Sequence, residues 1–165
     1  MEKSLSYSFV VITDDYIEYL RKEEPHVMSN KADERTYHRK YIGIIEELNG
    51  FKYFVPLSSP KAKDYMPNGT IKKDSLTLIY IKDGKNLFAT QRFNNMIPVP
   101  DSEIISYDLN DEGDFIRQNG NKIEKTARNL YAAKKNQANE PDYKQAILNV
   151  TLDFSKLEVL CVTYK

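Results

Sequence analysis

The sequence predicts an α+β fold, a small twisted antiparallel sheet with helices packed on it. Three observations carry this expectation. The strand-like segments of the first hundred residues are short and joined by local turns, which makes neighbours antiparallel. Asn49-Gly50 joins two of them, and both positions of such a two-residue turn need positive φ. Near residue 110 the apolar pattern changes to helical spacing.

Residues 6–12 (SYSFVVI) are β-branched and aromatic, as a strand requires. Thr13-Asp14-Asp15 then offers helix caps, with Asp15 and Glu18 at capping-box spacing. A helix from Tyr16 to Glu24 stops before Pro25, and Tyr16, Ile17, Tyr19 and Leu20 give it an apolar face. Residues 25–36 are polar and read as a loop. Tyr41 to Leu48 reads as a strand, and Phe51 to Leu57 as its return, with Pro56 placing that end at a sheet edge or strand terminus. A loop with Pro67, Asn68 and Gly69 follows. Residues 75–81 (SLTLIYI) form a strand, Asp83-Gly84 a turn, and Asn86 to Thr90 the return. Met96 to Pro100 and Glu103 to Tyr107 are short strands. Asp111 to Asn119 is a helix ending at Gly120. Asn121 to Asn136 is a stronger one, with Ile123, Ala127, Leu130, Tyr131 and Lys134 at helical spacing. Pro141 opens a helix over Asp142 to Leu148 from its first position, and Asp153 caps a last element running through Leu157 and Leu160.

The 165 residues fit one domain, 1–165, with room for a sizeable core. Nineteen Tyr and Phe exclude a disordered chain. The apolar runs are too short for a membrane span, the N-terminus has no secretory pattern, and the lone Cys161 fits a reducing cytoplasm. Basic and acidic residues balance at 24 each, which excludes a uniformly basic nucleic-acid coat. The balance hides segregation. Residues 51–100 carry eight Lys/Arg against three Asp/Glu, 101–120 one against six, and 121–139 five against one. A local basic surface therefore has room to face a polyanion, although ordinary solvated faces produce the same pattern.

The most informative stretch is Val55-Pro56-Leu57-Ser58-Ser59-Pro60-Lys61. Two hydroxyls sit where a strand ends, with a lysine beyond a proline. Pro60 fixes its own φ and confines Ser59 to extended backbone, which stiffens the loop. A hydroxyl and an ammonium held there bind phosphate and stabilise negative charge developing on it. From the residues alone, however, plain turn chemistry with a solvated lysine is the better reading. In Arg35-Thr36-Tyr37-His38-Arg39-Lys40-Tyr41, cations interleave with aromatics, a pattern suited to single-stranded nucleic acid. It equally suits a solvated loop whose Tyr41 enters the core. Lys122, Lys125, Arg128 and Lys135 lie off their helix's apolar stripe, as phosphate contacts or as a solvated face, the latter being commoner. His26 and His38 lack partners at zinc-ligand spacing, so no metal site is expected. No phosphate-binding Gly-rich loop or nucleophile elbow occurs, and Cys161, inside the apolar run Val159 to Val162, reads as core.

Five segments in order carry a resemblance: Tyr16-Ile17-Glu18-Tyr19-Leu20, Tyr37-x-Arg39-Lys40-Tyr41-Ile42-Gly43-Ile44, the hairpin Asn49 to Lys61, Phe93 to Pro98, and Asp153 to Glu158. Together they resemble the toxins of type III toxin–antitoxin systems, the ToxN, AbiQ, CptN and TenpN group. The hairpin ending in Ser-Ser-Pro-Lys is the specific part. The resemblance implies a compact, strongly twisted antiparallel sheet surrounded by helices, broadly similar to Kid and MazF. It implies a cytoplasmic endoribonuclease that works without metal or other cofactor, often at A-rich sites, and leaves 2′,3′-cyclic phosphate and 5′-hydroxyl ends. It also implies an antitoxin partner, a small repeated pseudoknot RNA that the toxin excises and that closes with it into a hetero-oligomer, and a role in abortive phage defence.

Residue by residue, the resemblance places the family serine at Ser59, its hydroxyl neighbour at Ser58, the lysine at Lys61 and two site tyrosines at Tyr16 and Tyr37. A further family lysine falls on Arg39 or Lys40. The implied roles put Lys61, with Arg39 or Lys40, on the nonbridging phosphate oxygens. Ser58 and Ser59 position the 2′-hydroxyl or phosphate, and Tyr37 and Tyr16 stack on or orient the RNA. Lys63, Lys122, Lys125, Arg128 and Lys135 are the remaining RNA-binding candidates. A noncatalytic RNA-binding module and a MazF-type toxin neutralised by a protein are the competing readings on the same scaffold.

Overall fold

The computed structural model describes residues 9–30, 39–44, 46–83, 86–106 and 119–164. Seven strands form one antiparallel sheet: β1 (Phe9–Ile12), β2 (Lys40–Gly43), β3 (Tyr53–Ser58), β4 (Leu78–Asp83), β5 (Asn86–Arg92), β6 (Ile97–Pro98) and β7 (Ile104–Ser106). Four helices accompany it: α1 (Asp14–Glu23), α2 (Gly120–Lys135), α3 (Asp142–Asn149) and α4 (Phe154–Thr163). The α+β expectation therefore holds. No helix among the described residues is long and apolar enough to cross a membrane.

The spatial order is β4-β5-β3-β2-β1-β7, with β6 added to β3. β3 is the hub. One of its edges pairs with β2, through Tyr41↔Pro56, Ile42↔Val55 and Gly43↔Phe54. Its other edge is divided. Tyr53 and Phe54 pair with β6, and Leu57 and Ser58 pair with β5. Pro56 thus lies inside the central strand and not at the edge or terminus that its ring suggests. It fits because the divided edge has no partner registered to it at that point, so its missing N–H leaves no ladder bond unmade there. The turn behaves as its residues require. Asn49 has φ 55° and Gly50 φ 81°, and Leu48 bridges Phe51.

β3 is buried along its whole length, and the core gathers on it. α1 contributes Tyr16, Ile17 and Leu20, α2 Ile123, Ala127 and Leu130, and α4 Phe154 and Leu157. The Tyr53, Tyr131 and Phe154 rings pack with centroids 5.5 to 5.6 Å apart. Beneath them Glu158 accepts from Tyr53 Oη (2.7 Å), Tyr131 Oη (2.6 Å) and Asn49 Nδ2 (3.0 Å), which ties α4 to α2 and to the hairpin turn.

Several boundaries differ from expectation. The cap of α1 is Thr13, which accepts from the Tyr16 N–H and donates to Glu103 Oε1, so the Asp15–Glu18 box is not used. β2 ends at Gly43, well short of Leu48. Pro141 is the residue before α3, in extended backbone, and not its first helical position. The apolar run around Cys161 winds around α4, with Leu160 packed against the core. Val159 and Val162 are exposed and Cys161 is half-buried, so the run as a whole is not core. Residues 111–118 of the helix expected over 111–119 and the first residues of the first strand lie outside the described residues, and Asn119 caps the start of α2.

Candidate active site

β3 leaves the sheet at Ser58, and Ser58 to Lys61 form the candidate site. The two serines have different surroundings. Ser58 is 5% exposed. Its Oγ lies 2.6 Å from Thr90 Oγ1 and accepts the Arg92 Nε–H at 2.7 Å. That hydroxyl is committed to the neighbouring strand, so the expected direct contact of Ser58 with RNA is replaced by a role in holding the strand end. Ser59, Pro60 and Lys61 are exposed. The contrast arises because Ser58 is the last residue of β3 and is covered by its pairing with Thr90, whereas Ser59 lies beyond the strand end.

Lys61 has a fixed backbone and an open side chain. Its N–H donates to Asp64 Oδ2 (2.8 Å), and the Asp64 N–H returns to the Lys61 carbonyl (2.9 Å). Asp64 closes a single 3-10 turn over Ala62–Asp64 and is 1% exposed. Its own carbonyl accepts from the Lys72 N–H (2.9 Å), and Tyr65 bridges Ile71, so residues 61–72 fold back as one loop.

Arg39 reaches the same strand end from the opposite side. Its Nε donates to the Ser29 carbonyl (2.9 Å) and its Nη1 to the Leu57 carbonyl (2.7 Å). At 5% exposure this guanidinium grips the backbone and is not laid open to a phosphate, which corrects the contact expected of it. Asn30 completes the support. Its carbonyl accepts from the Arg39 N–H, and its Nδ2 donates to the Ile12 carbonyl (2.7 Å) and Asp14 Oδ1 (3.0 Å). Lys40 opens β2, half-buried, registered against Val11. Tyr37 lies outside the described residues.

Tyr16 does not belong to the surface. It is fully buried, its hydroxyl donates to the Pro98 carbonyl at 2.6 Å, and its ring meets Tyr164 edge-on at 5.0 Å. Burial pushes its phenol far up, with Cys161 adding to the effect, so it stays protonated. The stacking role expected of it is therefore corrected to a core role.

The helix cations are not an open stripe. Lys122 pairs with Asp74, Arg128 Nη1 lies 3.0 Å from Glu46, and Lys135 lies 3.4 Å from Glu158 and over the Tyr131 ring. Lys125 is exposed. Lys61, Lys63, Lys72 and Lys73 are exposed and make no ion pair among the described residues, so four such cations lie within the stretch that follows Ser59, with Lys22, Lys82 and Lys125 elsewhere. Lys72, Lys73, Asp64, Thr90 and Arg92 were not singled out from the sequence. The one available signal was the polar run Thr90-Gln91-Arg92 ending an otherwise apolar strand. Among the described residues no group of three or more His, Cys, Asp and Glu is arranged to hold a metal ion.

An exposed hydroxyl and an ammonium on a braced loop suit a phosphodiester, with the lysine on a nonbridging oxygen and the serine on the attacking or bridging side. Comparison with known proteins adds the following. Residues 8–161 match the family model for toxin ToxN of the type III toxin–antitoxin system. The chain is 32% identical to the endoribonuclease ToxN of Bacillus thuringiensis subsp. kurstaki, over 95% of this chain and 84% of that one. A solved structure from work on type III systems, describing selective toxin inhibition by a non-coding RNA pseudoknot, superposes with TM-score 0.79 at 28% identity, covering 96% of this chain and 98% of that one. The structure of AbiQ, a lactococcal anti-phage endoribonuclease, superposes with TM-score 0.78 at 27% identity, with the same coverage.

Proposed function

Because the chain belongs to the ToxN family of type III toxin–antitoxin toxins, we propose that it is an endoribonuclease of the bacterial cytoplasm that cleaves single-stranded RNA, A-rich sites first, from the loop Ser58 to Lys61. Its partner is a small pseudoknot RNA antitoxin, which it excises from a repeated precursor and which closes with it into an inhibited assembly. Release of the toxin during phage infection is the setting the family suggests.

The observation that carries this reading is the loop itself. An exposed Ser59 and Lys61 follow a buried strand whose last two residues are each held by a guanidinium, Leu57 by Arg39 and Ser58 by Arg92. In the reaction the substrate's 2′-oxygen bonds to the adjacent phosphorus and the bond from phosphorus to O5′ breaks. One proton leaves the 2′-oxygen, and O5′ takes one up. The products carry a 2′,3′-cyclic phosphate and a 5′-hydroxyl, and no covalent enzyme intermediate forms. Lys61 stabilises the growing negative charge on the nonbridging oxygens. Ser59 hydrogen-bonds the phosphate or 2′-hydroxyl and holds the in-line geometry. Tyr37 and Lys40 act from the segment entering β2. Lys63 and Lys125 track the RNA backbone, joined by Lys122, Arg128 and Lys135 where phosphate displaces their carboxylate partners. The exposed charged side chains of the loop, Lys61, Lys63 and Lys72, are cations, which favour phosphate directly, while its one carboxylate, Asp64, is buried against the Lys61 backbone. The mechanism we propose is metal-independent, with Lys61 meeting the charge that develops on the phosphate.

The test is to incubate the protein with an A-rich RNA in EDTA, beside Ser59→Ala and Lys61→Ala, and to map the fragment ends. Cleavage by wild type alone with cyclic-phosphate ends is the expected result. Equal cleavage by all three removes the site from this loop, and RNA bound without cleavage reduces the protein to a binding module.

A further inference from the structure

We propose that Arg92 is a positioning residue of this site, acting through Ser58 to hold the root of the Ser59–Lys61 loop and to place a guanidinium charge beneath it. The inference rests on the endoribonuclease reading above and deepens it.

Arg92 ends β5, on the strand that pairs with the last two residues of β3. Thr90 and Arg92 are two apart and share a face, and Thr90 is registered directly against Ser58. The three side chains meet there. Arg92 Nε donates to Ser58 Oγ at 2.7 Å, and Ser58 Oγ and Thr90 Oγ1 share a 2.6 Å hydrogen bond. Because Oγ accepts from a charged donor, Ser58 can turn only by breaking a charge-assisted bond. Ser59 and Lys61 leave the sheet from that fixed point.

The remainder of Arg92 separates it from an ordinary brace. Among the described residues it makes no ion pair, and its Nη2 is shut off from solvent with no hydrogen-bond partner. A guanidinium nitrogen buried without an acceptor is costly, and a neutral residue of similar length would hold Ser58 without that cost. Tyr80, registered across from Thr90, feels the Arg92 charge together with those of Asp64 and Asp74. A half-buried guanidinium that no carboxylate pairs among the described residues adds positive potential at the root of the loop, which favours the phosphate that Ser59 and Lys61 would hold as its oxygens gain negative charge.

The experiment compares Arg92→Ala, Arg92→Gln and Arg92→Lys with wild type and Ser59→Ala on one short A-rich RNA, with single-turnover rate, RNA affinity and thermal midpoint read for each. Arg92→Ala should lower the rate about 10²-fold while affinity changes by less than about threefold, because geometry and charge are lost and RNA contacts are not. Arg92→Gln, which retains a donor but no charge, should fall similarly, and Arg92→Lys should recover to within about tenfold of wild type. Added guanidinium ion should partly restore Arg92→Ala. A wild-type rate in Arg92→Ala overturns the assignment. So does a rate loss that disappears when scaled to folded protein, or a lysine variant no better than alanine. Should Arg92→Ala fail to fold, the glutamine and lysine pair decides alone. Wild type as inactive as Ser59→Ala defeats the endoribonuclease reading, and this inference falls with it. Wild type active, Ser59→Ala inactive and every Arg92 variant active defeats this inference only.

Discussion

Adjacent hydroxyls at Ser58 and Ser59 differ in what their removal should do. Ser58→Ala leaves the Arg92 Nε–H and the Thr90 hydroxyl without their buried partner, so it should destabilise the fold by about 1–3 kcal/mol and slow cleavage. Ser59→Ala removes an exposed hydroxyl, so it should abolish cleavage while the denaturant midpoint stays near wild type. Unfolding curves measured beside cleavage assays separate the two, and matched stability losses would count against this division. Tyr16 makes the reverse case. Tyr16→Phe deprives the Pro98 carbonyl of a 2.6 Å buried donor and should cost roughly 1–2 kcal/mol. RNA cleavage per folded molecule should be unchanged, whereas a stacking role would show as weakened RNA binding. Single residues show where reading the chain alone reached its limit. Pro60 and the strand end marked Ser58, Ser59 and Lys61 as a stiff turn, and the family resemblance, not the residues alone, made that turn the candidate site. Which serine faces solvent was not, because that depends on β5 pairing from more than thirty residues away. The buried course of Arg39 was illegible for the same reason, since the Leu57 carbonyl it bonds is brought to it by the sheet; Tyr16 stood on the apolar face of its helix, and only its Pro98 partner depended on the sheet.

Among the elements, the β2–β3 hairpin was the most legible, since Asn49-Gly50 admits few other conformations. Its interior holds a constraint that local sequence does not display. Gly43 is registered against Phe54, and a Cβ built at Gly43 would stand 2.8 Å from Phe54 Cε2. Gly43→Ala therefore forces the ring aside in a packed core and should cost about 1–3 kcal/mol, read from urea unfolding. α4 is tied to this hairpin through Glu158. Burial by itself would raise the Glu158 carboxyl. Hydrogen bonds from Tyr131, Tyr53 and Asn49, with the Lys135 charge, outweigh it and hold the group below the usual glutamate range. A carboxyl depressed in the folded state stabilises the fold above its unfolded value of about 4.3 and loses that contribution as pH falls through the folded value. Wild type should therefore lose stability steadily below about pH 5. Glu158→Gln should be less stable at neutral pH and flatter over the acidic range. Parallel slopes for the two proteins would show that other carboxylates control acid unfolding. None of this linkage is visible in the α4 sequence, because the partners of Glu158 come from three other parts of the chain.

For the whole molecule, zero net charge means that RNA must be attracted by where the charge lies. Most of the helix cations are already opposed by carboxylates. Lys61, Lys63, Lys72 and Lys73 are not, and the fold-back of residues 61–72 returns the chain at Lys72 to Asp64, beside Lys61. If those four lysines each neutralise one phosphate of a single strand, the logarithm of the binding constant should fall against the logarithm of salt with a slope of about −3. A roughly fourfold rise in salt then weakens RNA binding about 50-fold. Replacing Lys72 and Lys73 with glutamine should reduce the slope by about 1.4, since two counterions are no longer released. Replacing Lys122 and Arg128 should reduce it less, because phosphate gains from those side chains only after displacing Asp74 and Glu46. The measurement is a titration of labelled RNA into Ser59→Ala protein, so that cleavage does not intervene, at several salt concentrations. Equal slope changes from the two pairs would place the RNA across the helix as much as the loop. A flat salt dependence would mean that binding depends on bases and shape, with the lysine loop serving chemistry alone.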